Sequence, residues 1–434
     1  MNKIKKITGM KLFLPIFSMI LVMMINVVFD IIDGKSAMDF FHISIKNGVL
    51  YGRIIDILNR GSEIAILSLG MTLVVSASAG TDISVGSVMS LAGGTCCALI
   101  AGFGVTSVST LADCAHPIWF GILIGIAVAT LAGAFNGFLV AYMNIQPMVA
   151  TLILWSAARA LALMICNNMI VYVRLDQFKV FGSFTGPIPT PILIAAGCIL
   201  VMSLVLKFTA VGTYVQSVGI NKKASRIAGF DSARIILLCY TISGLFAGIA
   251  GITETSRIYS ADTNNIGLNL EMDAILAVAL GGNSLGGGKF NLAGSIIGAY
   301  TIQAITTTLL ARGVSPAQAP VFKAIIVILI VVIQAPPVKA FFKKLSAKKN
   351  QLTVTWKKDK RATGYEVKYS TSKKFKKAKT VLVKKTKTTK TTLKKLKKGK
   401  TYYVKVRAYK EVKVGKKKVK IYSPYSKTLK KKIK

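Results

Sequence analysis

Residues 117–158 read PIWFGILIGIAVATLAGAFNGFLVAYMNIQPMVATLILWSAA and contain no charged side chain. A helix crosses a bilayer core with about 20 apolar residues, so this stretch holds enough chain for two crossings. Working outward, residues 83–112 and 180–206 are equally free of charge. Several such runs in succession exclude a soluble core and indicate an all-α polytopic membrane protein. The expected spans are 12–32, 64–79, 85–104, 118–142, 148–172, 188–208, 235–253, 272–282, 292–311 and 321–341, or about ten crossings at that length per crossing. The spans at 64–79 and 272–282 are short, and the glycines of 80–86 interrupt a longer apolar stretch. Interrupted segments at membrane depth line a protein cavity, because open backbone cannot face lipid.

The composition divides the chain in two. Its 434 residues carry a formal net charge of +41, yet 53% are hydrophobic and only 17% charged. Of the 57 basic and 16 acidic residues, 34 and 3 respectively fall after position 344. We therefore expect a membrane domain over 1–344 and a lysine-rich domain over 345–434. In the second part, Leu352, Val354 and Trp356 alternate with polar residues, as do Tyr365, Val367 and Tyr369, and Tyr402, Val404, Val406 and Ala408. That period of two, with turns at Gly399 and Gly415, predicts a small all-β sandwich.

The start of the chain, basic over 3–11 and apolar over 12–29, reads as a first span with a cytoplasmic N-terminus, since the apolar run is too long for a signal peptide. An even span count then places the basic loop 209–234, with Lys222, Lys223, Arg226 and Arg234, inside the cell beside Lys339, Lys343 and Lys344. Lys35, Lys46, Arg53, Arg174 and Lys179 fall outside, so the positive-inside rule is only partly obeyed. The pairs Gly121/Gly125, Gly133/Gly137, Gly244/Gly248 and Gly294/Gly298 have helix-packing spacing. Cys96, Cys97, Cys166, Cys198 and Cys239 lie in apolar runs as small hydrophobes, and Cys114 stands alone without a CxxC partner.

Catalytic chemistry finds no support. Lys289 follows Gly288, but Asn283 stands where a phosphate-binding loop needs its first glycine and Phe290 where it needs Ser or Thr. Lys400-Thr401 fails likewise, with Lys394 in the first-glycine position. The two histidines are far apart, and no nucleophilic triad or metal motif can be assembled. The chain is expected to be no enzyme and to hold no cofactor.

Five motifs, in order along 1–341, carry a family resemblance. GTDISVGS at 80–87 resembles the G-x-D/E-L-S-V-G-S signature of permease subunits of sugar ABC importers of the ribose, xylose and galactofuranose group. Asn136-Gly137 with NIQPMVATL at 144–152 resembles that family's N-G…N-x-x-P-F-I-A-T-L block. Arg159-Ala160-Leu161-Ala162 is similar to its R-G-L-A. Gly219, Asn221, Ala224, Arg226 and Gly229 match its G-x-N-x-x-A-A-R-x-x-G-I loop. LNLEMDAI at 268–275 with GGNSLGGG at 281–288 resembles its E-L-D-A-I…G-G-T-S-L-x-G-G block, in wording closest to galactofuranose-type permeases.

The resemblance implies a subunit of a bacterial cell-membrane importer. A second permease copy would complete the pathway, cytoplasmic ATP-binding subunits would use the ATP, and an extracytoplasmic binding protein would deliver the sugar. It also implies that 209–234 couples to the ATPase, with a short helix at 221–227 turned by Gly219 and Gly229. Thr81, Asp82, Ser84, Asn136 and Gln146 are the pathway candidates, because sugars need hydroxyl, amide and carboxylate partners. Helix capping by Asp82 or Ser84 is the competing reading. Arg159 reads as structural glue, and Glu271 and Asp273 as acids favoured by a helix N-terminus.

In the tail, Trp356, GYEV at 364–367, Leu396, Gly399 and YYVKVRAY at 402–409 resemble a fibronectin type III domain, with Tyr402 at the tyrosine corner. Little chain separates Lys344 from Leu352, so its first strand is expected to be short or missing. Its charge suits any polyanion, but lysines on outer faces with core aromatics favour solvent or anionic membrane lipid over specific nucleic-acid binding. Two rival functions remain: an ATP-independent secondary transporter, which would need more membrane-embedded acids, and a surface adhesion protein anchored by its helices.

Overall fold

A computed structural model describes residues 12–334 except 35, 37, 47 and 289. It also describes residues 346–432 except 349–350, 357–358, 360–361, 374, 376–377, 384–388, 394–395, 397–399 and 415–416. The basic start at 3–11, Lys289, Lys339, Lys343, Lys344, Lys394, Gly399 and Gly415 fall outside the described residues. The chain divides into two compact units, Met1–Val332 and Ile333–Lys434.

The first unit is helical. Its principal helices are α1 (Phe13–Ile32), α2 (Arg53–Ser78), α3 (Val85–Ala101), α4 (Ile118–Ala141), α5 (Pro147–Ile165), α6 (Thr190–Phe208), α7 (Val211–Ile220), α8 (Lys222–Ile227), α9 (Ser232–Ile258), α10 (Leu270–Leu280), α11 (Leu292–Ala311) and α12 (Ala319–Gln334). Seven of them, α1, α2, α4, α5, α6, α9 and α11, are long and apolar enough to cross a membrane. The helices α3 and α10, with 17 and 11 residues, are shorter.

The helices depart from the expected spans where charge or turn chemistry intervenes. The span expected at 64–79 is the rear of a 26-residue helix that begins at Arg53 and passes through Arg60 and Glu63. The span expected at 235–253 runs on through Glu254 and Arg257. Glu63 and Arg257 pair with each other across the two helices and Glu254 accepts from the Gly267 amide, so these helices have no reason to end there. The span expected at 148–172 instead stops at Ile165, because Asn167 and Asn168 turn the chain with φ of 51° and 57°. Residues Val171–Val173 form a short strand instead.

Helix α2 lies at the centre, with every residue from Gly61 to Ser78 buried. Two buried layers flank it: apolar faces of α3, α9 and α10 around Leu69, Leu73 and Met89, and a cluster of Ile64, Leu280, Ile302 and Val327. Contact at this range depends on small residues. A β-carbon on Gly133 of α4 would overlap the Tyr240 carbonyl and Gly244 of α9, and one on Gly244 would overlap the Ala129 carbonyl. The other expected pairs also sit at helix contacts: Gly121 and Gly125 on α3, and Gly294 and Gly298 on the end of α10.

The second unit is antiparallel β. Its strands are β1 (Ser346–Lys348), β2 (Gln351–Thr355), β3 (Gly364–Ser370), β4 (Lys379–Val383), β5 (Lys390–Leu393), β6 (Thr401–Val414), β7 (Lys417–Tyr422) and β8 (Leu429–Lys432). One sheet has the order β5-β2-β1; the other has β4-β3-β6-β7, with β8 also paired to β6. Leu352, Val354, Val367, Leu393, Leu396, Tyr402 and Val404 make the core between them. A three-residue strand thus precedes Gln351–Thr355 and pairs with it. The alternation of β6 slips after Val406, so that Tyr409 is buried at 2% exposure where Ala408 was expected.

Bulk at the α4–α9 contact should therefore be costly. Gly244→Leu is expected to lower the thermal midpoint of the detergent-solubilised chain by the equivalent of at least the roughly 1–3 kcal/mol typical of overpacking. Gly197→Ala, whose β-carbon would meet nothing within 4 Å, should not lower that midpoint, since alanine is favoured over glycine inside a helix.

Candidate functional site

Helix α2 ends at Ser78 because Ala79 adopts a left-handed conformation (φ 57°) and the Gly80 amide bonds Ser78 Oγ at 3.2 Å. The chain then crosses to α3 through Thr81, Asp82 and Ile83. Asp82, 2% exposed, accepts from the Ser84 amide (3.1 Å) and hydroxyl (2.6 Å) on one oxygen. Its other oxygen accepts from Ser243 Oγ of α9 at 3.0 Å. Asn136 of α4 donates to Ser84 Oγ at 2.9 Å. Three of the five expected pathway residues, Asp82, Ser84 and Asn136, are therefore one buried cluster tying the break to α4 and α9. Asp82 holds the Ser84 amide just ahead of α3, while Ser84 at the N-cap position makes no side-chain capping bond. Thr81 is half-buried, its carbonyl accepting from Thr151 Oγ1 at 3.4 Å, and Gln146 is exposed at the start of α5. Neither touches the cluster by a hydrogen bond found among the described residues.

The 209–234 segment forms two helices, α7 and α8. Asn221 caps α8, its side chain accepting from the Ala224 amide at 3.0 Å, which is the local reason a helix starts there. Gly229 turns the chain after it with φ 88°. Gly219 makes no turn: it lies inside α7, and its missing side chain lets α7 press on the Ser76 carbonyl of α2. That same carbonyl accepts from the Gly288 amide at 3.0 Å. The end of α2, the Gly281–Gly288 loop and α7 thus meet at one point. Ala224 and Arg226 are exposed, and Ile220 and Ile227 stand 71% and 89% exposed. A basic, partly apolar surface results.

The sequence reading missed a second set of residues at the other end of α2. Glu63 pairs with Arg257 of α9 at 2.7 Å, and Asp273 of α10 with Lys323 of α12 at 2.7 Å. Glu254 accepts from the Gly267 amide at 2.9 Å. These groups border a cavity of about 260 Å³. Arg159 donates to the carbonyls of Thr263 (2.9 Å), Asn264 (2.7 Å) and Ile266 (3.1 Å), and so fixes the loop before α10. Glu271 is buried below Gly86 and Asp273 is ion-paired, so neither acts only through a helix dipole. Charged residues inside otherwise apolar helices were the signal that could have found this set. Among the described residues, no group of three or more His, Cys, Asp or Glu is placed to hold a metal ion.

Removing Asp82 strands three donors at once. Asp82→Ala should therefore destabilise the detergent-solubilised chain by about 3 kcal/mol, against about 1 kcal/mol for Ser243→Ala, which deletes a single bond. Thermal denaturation of the two variants measures the difference.

Residues 53–333 match the family model described as branched-chain amino acid transport system / permease component, and residues 340–423 match the fibronectin type III domain. Among curated proteins, the galactofuranose transporter permease protein YtfT of Escherichia coli K12 is 41% identical over 307 residues, 70% of this chain and 86% of that protein. The fructose import permease protein FruF of Bifidobacterium longum is 36% identical over 344 residues, 78% of this chain and 91% of that protein. The ribose import permease protein RbsC of Escherichia coli K12 is 33% identical over 284 residues, 64% of this chain and 84% of that protein. With the family model spanning the helical unit and the seven long apolar helices inside it, the chain belongs to the branched-chain amino acid transport system / permease component family: it is a multi-pass membrane transport subunit, not an enzyme, with a fibronectin type III domain at its C-terminus.

Proposed function

We propose that this chain is the transmembrane permease of an ATP-driven sugar importer in the bacterial cytoplasmic membrane. The observation that carries the reading is the 41% identity across 86% of a galactofuranose permease, supported by two further relatives named for fructose and ribose import. ATP is used by a separate cytoplasmic subunit. An extracytoplasmic binding protein delivers the sugar, and a second permease copy, identical or related, completes the pathway. The ten-span topology, counting α3, α10 and α12 as crossings, places α7 and α8 in the cytoplasm.

Coupling then follows from geometry. The exposed Ile227 and Arg226 of α8 offer one apolar and one charged contact to the ATPase, while Asn221 holds the helix in shape and Ala224 and Gly229 keep its approach open. Movement of α8 passes through α7 and Gly219 to the Ser76 end of α2. There it reaches the Asp82–Ser84–Asn136 cluster, whose hydrogen bonds lock the break in this conformation. Thr81 and Gln146 flank that break and form the rest of the proposed pathway lining. The fibronectin type III domain takes no part in translocation, and its lysine surface is attracted to anionic lipid.

Uptake of labelled monosaccharide is the test, in cells carrying the chain with its ATPase and binding protein. Uptake should require the ATPase; uptake by the chain alone would contradict the reading. Arg226→Glu should lower uptake at least tenfold with the chain still in the membrane at its normal level. Truncation at Lys344 should leave uptake unchanged, and protease added to intact cells should spare the tail. Cleavage there would overturn the ten-span topology.

A further inference from the structure

Between α9 and α10 the chain runs through residues 262–269 without helix. Ser260 and Ala261 first pair with Tyr172 and Val171, just past the far end of α5. The segment then comes back alongside α5. There Arg159 donates to the carbonyls of Thr263, Asn264 and Ile266, and Ser90 of α3 donates to the Thr263 carbonyl at 2.7 Å. Gly267 lies against the Gly86 carbonyl, and α10 begins. Arg159 stands twelve positions after Pro147, the first residue of α5, and six before Ile165, the last, which is about 18 Å and about 9 Å along the helix axis. The segment held by Arg159 therefore lies at membrane depth.

Irregular backbone at that depth does not face hydrocarbon; it is covered by protein or lines a water-filled cavity. Yet Asn264 and Asn265 are exposed, and so is Ser156 of α5, one helical turn before Arg159. Among the described residues, the side chains of Asn264 and Ser156 have no hydrogen-bond partner. Asn265 donates to Asp262 Oδ2 at 2.7 Å and keeps its own side-chain oxygen free. We propose that Asn264, Asn265 and Ser156 form one wall of the sugar pathway and hydrogen-bond the sugar as it passes, with Arg159 as the positioning residue that holds the wall in place. The proposal rests on the sugar-import reading and names residues that touch the solute. Each amide sets a donor beside an acceptor, and a serine hydroxyl is both, as sugar hydroxyls are. None of the three side chains is charged, which suits a neutral solute that must also leave.

The placement also fits a route between two permease copies. Gln146, exposed at the start of α5, precedes Ser156 by ten positions, about 15 Å along the same helix. The lining proposed at the 79–84 break and the wall at Asn264 are thus two levels of one path along α5, on a side of that helix that this copy leaves uncovered. The charged side chains nearby are already engaged: Arg159 by three carbonyls and Asp262 by Asn265. The neutral groups are the ones left to address a solute.

The complete importer in proteoliposomes, with its ATPase and binding protein, provides the test. All variants carry Cys114→Ser, which removes the loop cysteine. Asn264→Cys should react with a membrane-impermeant cationic thiol reagent at least tenfold faster than Leu200→Cys, whose side chain is 59% exposed on the apolar helix α6. Equal rates would overturn the proposal, because Asn264 would then face lipid or the packed second copy. Separately, Asn264→Ala should raise the ATP hydrolysed per labelled galactose, fructose or ribose taken up at least fivefold, with Asn264→Gln restoring part of the coupling. A merely structural loss would lower hydrolysis and uptake together; an unchanged ratio would therefore overturn the proposal while leaving the import reading intact. Absence of sugar uptake by the unmodified importer would instead defeat that reading and the sugar contact with it, whereas the thiol rates would still decide whether Asn264 faces water.

Discussion

The rest of the helical unit depends on one constraint: α2 is buried on every side from Gly61 to Ser78. A helix so placed has no lipid-facing stripe to carry its hydrophobicity and no water to satisfy its polar groups. Its polar side chains must therefore bond within the protein. Thr72 bonds both Ser68 of its own helix and Ser295 of α11, at 2.6 and 2.7 Å. Glu63 takes Arg257. The neighbouring helices must also come close, and glycines of α2 itself allow it: Gly61 lies against Tyr300 of α11 and Gly70 against Ser243 of α9. Packing between apolar helices in lipid gains little from hydrophobicity and comes from contact and hydrogen bonding.

Termination of that helix creates the second feature. With Ala79 left-handed, the chain reverses inside the protein; the Asp82 carboxylate accepts from the Ser84 amide and from Ser243 Oγ, and the Ser84 hydroxyl accepts from Asn136. The Ser76 carbonyl is met by the Gly288 amide, and Gly219 seats α7 on the same spot. Three segments distant in sequence, 79–84, 219–220 and 281–288, are thus joined through main-chain atoms. Main-chain joints of this kind transmit displacement without flexible side chains between them, which suits a coupling role in the proposed importer.

Much of this was legible in the sequence. Charge-free runs located the long helices, because a bilayer span has an unmistakable length and composition. The G-x-D-I-S motif located the break, and Asn221 announced the head of α8. The ion-pair cavity was not legible. Spans were trimmed at charged residues, so Arg60, Glu63, Glu254 and Arg257 were left in loops, although the helices run straight through them. A single sequence does not say which charges will meet a partner: Asp273 and Lys323 are fifty residues apart. Gly219 was read as a turn because glycine serves both turns and close approach, and only the Ser76 carbonyl beside it decides between them. In the β unit, alternation identified the core up to Val406, but the slip that buries Tyr409 depends on how β7 and β8 share β6.

The central claim is that α7–α8, the Ala79–Ser84 break and the Gly281–Gly288 loop act as one mechanical unit around the end of α2. Hydrogen–deuterium exchange of the full chain in nanodiscs, with and without the ATPase subunit, measures this directly. The account predicts that protection changes together in 211–227, 79–84 and 281–288 when the ATPase binds. A change confined to 221–227 would contradict it.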